Sequence, residues 1–479
     1  MLFNSLAYVG FLIIVFTLYW IIPDRFRWIL IVIASYFFYM CSGPKYGLII
    51  FGVTTVSYLS GRLLEKQENK RKRKAILSLT VIVCMGVLFF FKYFNFAAKN
   101  IIDLINLFGV KQDYVTFNII LPVGISFYTF QTMSYVIDVY KGDTKVEHHF
   151  GKYMAFVSFF PQLVAGPIER SNNLIPQINA VHRFNYDQAI SGVKLMLWGY
   201  FKKLAIADVV SVYVKEVFND PHNFTGFALT LASVFFALQI YCDFSGYSDI
   251  AIGTAKLFGF ELMTNFRSPY LSRSVKEFWS RWHISLSTWF RDYVYIPLGG
   301  NRVSKVRHYI NLMITFLASG LWHGANWTFV AWGGIHGLAQ VIENIIFKKK
   351  NRDEHPKVIQ VLEIIAVFVF AVFAWVFFVA HSFSDAVYVI SHSFNGITAP
   401  LQYLKNGYVD VTLTDNIKIS LIVCIAVLAA YDIISQKDKI RDKLANNKIV
   451  QWIFYIVISL MIILMAQKGV AAEFIYFQF

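Results

Sequence analysis

The sequence predicts an all-α, multi-pass membrane protein, on three observations. Hydrophobic residues make up 57% of the 479 and charged residues only 15%, whereas soluble domains run about 45–50% apolar and about 25% charged. Mean hydropathy is +0.52. The apolar residues come in long runs rather than alternating faces, and in lipid such runs must satisfy their own backbone as helices. A soluble enzyme, a disordered chain and a disulfide-stapled secreted domain are excluded. Cys41, Cys84, Cys242 and Cys424 are far apart, form no CxxC pair and sit in or beside apolar runs. They suit packing, not zinc or redox chemistry.

A span needs about 20 apolar residues. Candidate runs lie near 5–22, 26–42, 45–61, 75–97, 117–137, 151–168, 189–217, 226–243, 307–322, 325–347, 358–382, 417–435 and 450–467. Pro122 interrupts one, Pro161 and Pro167 another, and Lys202 and Lys203 sit inside a third. About eleven to thirteen spans are expected, some of them re-entrant or interfacial. Leu6 to Ile22 reads as an uncleaved signal-anchor. No internal repeat emerges.

Orientation follows from the positive-inside rule. The gap Arg62 to Lys74 holds seven basic residues and is expected in the cytoplasm, with Arg25 and Arg27 inside and the N-terminus outside. Lys348 to Arg352 and the cluster Lys437 to Lys448 are also expected inside. The tail after span 450–467 then falls on the outer face. The net charge of +15 sits in these gaps, which suits topology and lipid headgroups, not nucleic acid.

The region 261–308 is too polar to span simply. Arg267, Arg273, Lys276, Arg281, Arg291, Arg302, Lys305 and Arg307 alternate there with Trp279, Trp282 and Trp289. A cytoplasmic interfacial helix anchored in headgroups fits this pattern, and so does a basic cavity mouth that attracts an anionic ligand.

Ionisable groups inside a membrane cost about 2.5–3.5 kcal/mol each on insertion scales and mark candidate sites. His323 lies between two apolar runs, with Gly320 and Gly324 beside it. Its imidazole can act as a general base toward a hydroxyl, although a hydrogen-bonded core histidine is the competing reading. His283 lies 40 residues upstream and by itself suits an interfacial position. His336 is displaced about 140° from His323 on a continuous helix, so it is no obvious partner. His148 and His149 read as solvated. Asp243 and Asp249 invite a functional reading, but a helix-breaking or inter-helix hydrogen-bonding role explains them at least equally well. No GxxxxGK[ST], HExxH or GxSxG motif and no zinc-spaced cluster occurs.

Six blocks in order resemble the membrane-bound O-acyltransferases, specifically their bacterial alginate O-acetyltransferase branch. They are PVGISFYTFQ at 122–131, FFPQLVAGPIER at 159–170, DFSGYSDIAI at 243–252, YLSRSVKEFWSRWHIS at 270–285, WFRDYVYIPLGGNR at 289–302 and SGLWHGANW at 319–327. The resemblance is dense over 120–340. It implies N-terminal membrane helices at 1–118, a catalytic core at 119–347 around an acyl-transfer tunnel, C-terminal helices at 348–467 and a tail at 468–479. It implies transfer of an acetyl group from cytoplasmic acetyl-coenzyme A, a substrate and not a bound cofactor, across a bacterial plasma membrane for O-acetylation of an extracellular or cell-wall polysaccharide. His323 matches the family's catalytic histidine and His283 its upstream polar partner. Trp322, Asn326, Trp282 and Arg281 flank them and are expected to contact substrate. An extracytoplasmic SGNH-like transferase is the expected partner.

The tail Phe474 to Phe479 is similar to the C-terminal hexapeptide of the small companion protein of teichoic acid D-alanylation, in which a tyrosine is thought to carry the acyl group. The resemblance therefore implies an acyl relay at Tyr476; an aromatic interfacial anchor is the alternative. D-alanyl transfer is the competing reaction within the family. From another class, a transporter or flippase would be expected to carry inverted repeats and paired broken helices.

Overall fold

A computed structural model describes residues 1, 3–110, 112–114, 116–164, 166–346, 352–410, 413–466 and 474–475, with backbone alone at 353 and 406–410. Lys348 to Asn351 and Tyr476 therefore lie outside the described residues. Every described element is helical, as the composition predicts. Among the described residues, six helices are long and apolar enough to cross a membrane: Pro44–Lys66, Lys70–Leu107, Phe227–Leu257, Lys357–Val379, Asp415–Ser435 and Lys448–Met465. The apolar helix Leu6–Ile21 is shorter.

The chain forms two compact units. The first comprises Met1–Val193 and Ala251–Met263. Its helix starts follow local chemistry. The Ser5 side chain accepts from the Tyr8 N–H, and Asn69 accepts from the Arg71 and Lys72 N–H groups, each covering a donor that a helix start leaves unused.

Two expected spans are shorter or divided. Run 117–137 becomes helical only at Ile125. Pro122 lacks an N–H, and Gly124 turns the chain with φ +74°. A Cβ at Gly124 would stand 2.5 Å from the Leu163 carbonyl oxygen, so only glycine fits this left-handed corner. Run 151–168 divides into Phe150–Ser158 and Phe160–Leu163, with Pro161 opening the second piece. The break diverts the Phe160 N–H to Ser35 Oγ at 3.0 Å. The Phe156 carbonyl loses that helical partner and accepts instead from the side chains of Gln131, at 2.9 Å, and Gln162, at 3.1 Å. Buried backbone groups are paired in this way whenever a helix stops inside a protein.

The second unit comprises Lys194–Ile250 and Thr264–Phe479. Here Lys202 and Lys203 do not break their helix. The chain stays helical through a π-turn at Phe201–Ala207, and both lysines are buried with acidic partners. Lys202 pairs with Asp249 at 2.6 Å, and Lys203 with Asp243 at 2.7 Å and Asp208 at 2.9 Å. Asp243 and Asp249 thus serve inter-helix pairing, the simpler of their two readings. Removing one partner of a buried pair leaves an uncompensated charge, at a cost of about 3–5 kcal/mol. Lys202→Met is accordingly expected to lower the Tm in detergent; an unchanged Tm would mean that Asp249 does not need Lys202.

Helices Lys305–His323 and Trp327–Ile346 form a tight hairpin. A Cβ on Gly320 would stand 2.3 Å from the Phe329 carbonyl oxygen, and one on Gly333 at 2.3 Å from that of Phe316. Facing glycines let these backbones touch, as small residues do between membrane helices.

Candidate active site

The segment 261–308 supplies half of the site, and it differs from the expected interfacial helix. It folds into turns and short helices, including Val275–Arg281 and Ile284–Phe290. Ser274 caps the first by accepting from the Glu277 N–H at 3.0 Å, while Glu277 accepts from the Arg273 N–H at 2.8 Å, a near variant of the capping box. Glu343 accepts from the Val275 and Lys276 N–H groups at 2.9 and 3.1 Å.

The tryptophans of this segment are interior, not headgroup anchors. Trp279, Trp282 and Trp289 are 7%, 0% and 4% exposed. Trp282 packs against Phe278, Phe266 and Trp375, and Trp279 against Trp332 and His336. Aromatic area of this size gains more from burial against other rings than from an interface.

Between the two short helices stands His283, fully buried, with φ 42° and ψ 53°. A non-glycine residue in this left-handed region costs on the order of 1–3 kcal/mol and persists only where surrounding contacts enforce it. The enforcing residue is Asn265, whose backbone carbonyl accepts from the Ile284 N–H at 2.9 Å. Its side-chain Oδ1 accepts from the Ser285 N–H at 3.2 Å and the Ser285 hydroxyl at 2.9 Å, and lies 3.1 Å from His283 Nδ1. Asn265 Nδ2 donates to Ser248 Oγ at 3.2 Å. The backbone N–H of Ser285 can only donate, so the atom it meets is the amide oxygen. His283 Nδ1 must therefore carry the proton, and the neutral ring keeps its lone pair at Nε2. Burial pushes the His283 pKa down to about 3, which keeps that lone pair available at neutral pH.

His323 ends the helix Lys305–His323 and is 3% exposed. Its ring centroid lies 6.4 Å from that of His283, 5.0 Å from those of Trp322 and Trp332, and 5.4 Å from that of Phe378. Trp322 also stands 6.0 Å from His283. The fold thus brings His283, His323 and Trp322 together in one buried aromatic cluster, although 40 residues separate the two histidines in sequence. Trp282 reaches this wall through Trp375. His336 accepts from Trp279 Nε1 at 3.2 Å and is a hydrogen-bonded core histidine.

The other two expected substrate contacts have partners within the protein. Arg281 pairs with Glu277 at 2.6 Å and donates to Gln436 at 3.0 Å. Asn326 accepts from the Thr328 N–H at 3.1 Å and donates to the His381 carbonyl at 3.3 Å, so it caps the turn between the hairpin helices. Among the described residues no cluster of three His, Cys, Asp or Glu could hold a metal ion. Asn265 is the site residue that sequence reasoning missed.

Fold and site together define a polytopic helical membrane protein with two histidines paired in its interior. The sequence model of the membrane-bound O-acyltransferase family matches residues 145–383. The chain is 41% identical to the probable alginate O-acetylase of Pseudomonas aeruginosa, over 81% of this chain and 73% of that one. It is 34% identical to the peptidoglycan O-acetyltransferase of Helicobacter pylori, over 75% and 72%. It is 30% identical to the teichoic acid D-alanyltransferase of Streptococcus thermophilus, over 48% and 58%. The chain belongs to the membrane-bound O-acyltransferase family and is an O-acyltransferase.

Proposed function

We propose that the chain takes an acetyl group from cytoplasmic acetyl-coenzyme A and delivers it across a bacterial plasma membrane for O-acetylation of an extracellular or cell-wall polysaccharide. The observation that carries this reading is the buried His283–His323 pair, with ring centroids 6.4 Å apart. The names of the alginate and peptidoglycan relatives support acetyl as the group and a polysaccharide as the destination. In the proposed step a hydroxyl oxygen attacks the thioester carbonyl carbon while His323 takes the hydroxyl proton. The C–S bond breaks, the coenzyme thiolate leaves with that proton, and the acetyl group remains as an ester. In the same step His283, with its proton on Nδ1, is the acceptor that orients the reacting group through Nε2.

D-alanyl transfer is the second reading. The D-alanyltransferase of S. thermophilus aligns over less of this chain than the acetylases do. Membranes supplied with acetyl-labelled coenzyme A are expected to pass label to protein or polymer, and an activated D-alanyl carrier protein is not. The reverse preference would replace the acetyl reading. Substrate movement that needs no coenzyme and survives His323→Ala would mean a transporter.

Tyr476, outside the described residues, is proposed as the relay that takes acetyl at the His323 site and hands it to an SGNH-like transferase on the outer face. Tyr476→Phe keeps the ring and removes the hydroxyl. It is expected to stop polymer acetylation, measured as ester-linked acetate. Unchanged acetylation would eliminate the relay and favour an aromatic anchor.

A further inference from the structure

The tail does not end as a free strand at the residues the structure describes. Phe474 and Ile475 are 1% and 3% exposed. The Ile475 N–H donates to Asp243 Oδ2 at 2.7 Å. The other oxygen of that carboxylate, Oδ1, lies 2.7 Å from Lys203 Nζ. The Phe474 ring packs against Tyr247 and Phe244, with centroids 4.6 and 5.6 Å apart. Asp243, Phe244 and Tyr247 lie within about 100° of arc on one helix, so together they present a single face to the tail. Phe244 in turn stands 4.6 Å from the His283 ring.

We propose that Asp243, Phe244 and Tyr247 form a binding site for the chain's own C-terminal tail, taking an aromatic side chain from residue 474 and a backbone N–H from residue 475. Lys203 orients the carboxylate and Asp208 completes the ion cluster at 2.9 Å. This cluster contains two carboxylates and one ammonium, so the excess negative charge favours one further donor. A backbone N–H supplies it as a charge-assisted hydrogen bond, stronger than a neutral one. Selectivity at 475 is then for the N–H and not for the side chain, while the ring at 474 is chosen by two aromatic neighbours. The site holds the tail one ring away from His283. The docking stands on residues 474 and 475 alone; what the docked tail carries rests on the relay reading above.

The test places the photo-crosslinking amino acid p-benzoylphenylalanine at position 474 of the full chain and maps the adducts by mass spectrometry. Adducts to Phe244 and Tyr247 are expected. Adding Ile475→Pro removes the N–H and is expected to cut their yield at least five-fold, whereas Ile475→Ala keeps it. On the receptor side, Asp243→Asn retains an acceptor and is expected to retain the adducts. Asp243→Leu removes the acceptor while leaving Lys203 paired with Asp208, and is expected to lose them. If Asp243→Leu fails to fold, the Ile475 pair of variants still decides, because it leaves the receptor unchanged. Equal yields from Ile475→Pro and Ile475→Ala would overturn the site. Tyr476→Phe is expected to keep the adducts, so adducts with unchanged acetylation in that variant would reject the relay and leave the docking intact.

Discussion

Replacing His323 with alanine is expected to lower acetyl transfer by two to four orders of magnitude, the usual contribution of one positioned general base. The loss should fall on the rate of the chemical step and not on protein level. His323 lies at the last position of its helix, ahead of Gly324, and packs against Trp322, Trp332 and Phe378. Truncation removes ring contacts, but the facing glycines still hold the hairpin. Detergent-solubilised His323→Ala is therefore expected to stay monodisperse. His323→Gln fills most of the space and restores polarity without an imidazole, so it should be as inactive as the alanine variant. Activity in His323→Gln above a few per cent of the wild type would exclude proton abstraction at this position.

How much of this was legible in the sequence depends on the range over which each feature is encoded. The helical membrane class follows from composition and run length, which are properties of whole segments. Pro122 and Pro161 mark their breaks because a missing N–H acts locally. Asp208 lies in the same stretch as Lys203, but full neutralisation of Lys202 and Lys203 was hidden, since Asp249 and Asp243 lie 47 and 40 residues on and only helix packing joins them. Read locally, two lysines in an apolar run look like an interruption. The tryptophans of 261–308 misled for the same reason. A basic, aromatic stretch has the composition of an interfacial helix, and partners on distant helices, Trp332 for Trp279 and Trp375 for Trp282, help turn those two rings inward.

The site follows the same pattern. His323 stood out because an ionisable group between apolar runs is unusual by itself. His283 needed the resemblance, since its own surroundings read as interfacial. Arg281 and Asn326 flank the histidines in sequence, and the structure pairs their side chains with Glu277 and Gln436, and with Thr328 and His381. Asn265 had no sequence signal at all. It lies in a short irregular stretch, 18 residues before its partner, and its importance arises from a left-handed backbone that the sequence does not announce.

Asn265 provides the second large effect. It acts on the reaction through His283, by fixing which nitrogen holds the proton, so it is a positioning residue. Asn265→Leu removes the acceptor for the Ser285 N–H, the Ser285 hydroxyl and His283 Nδ1 together. The imidazole is then free to take the other tautomer, with Nε2 protonated and unable to accept, and transfer is expected to fall about 10²-fold or more, as for other lost preorganised groups. A fold defect would produce a similar loss, so the pH profile of Asn265→Asp is the discriminating measurement. The new carboxylate still accepts the three donors and should recover a substantial part of the rate. Its negative charge also stabilises the protonated imidazole, which raises the His283 pKa. In the wild type burial pushes that pKa down to about 3, so no acid limb from His283 is expected near neutral pH. In Asn265→Asp the protonated, inactive form of His283 is populated at higher pH, so an acid limb is expected to rise into the measurable range and activity to recover as pH increases. Rescue by aspartate with an unchanged pH profile would place the role of Asn265 in holding the 283–285 turn and not in setting the histidine tautomer.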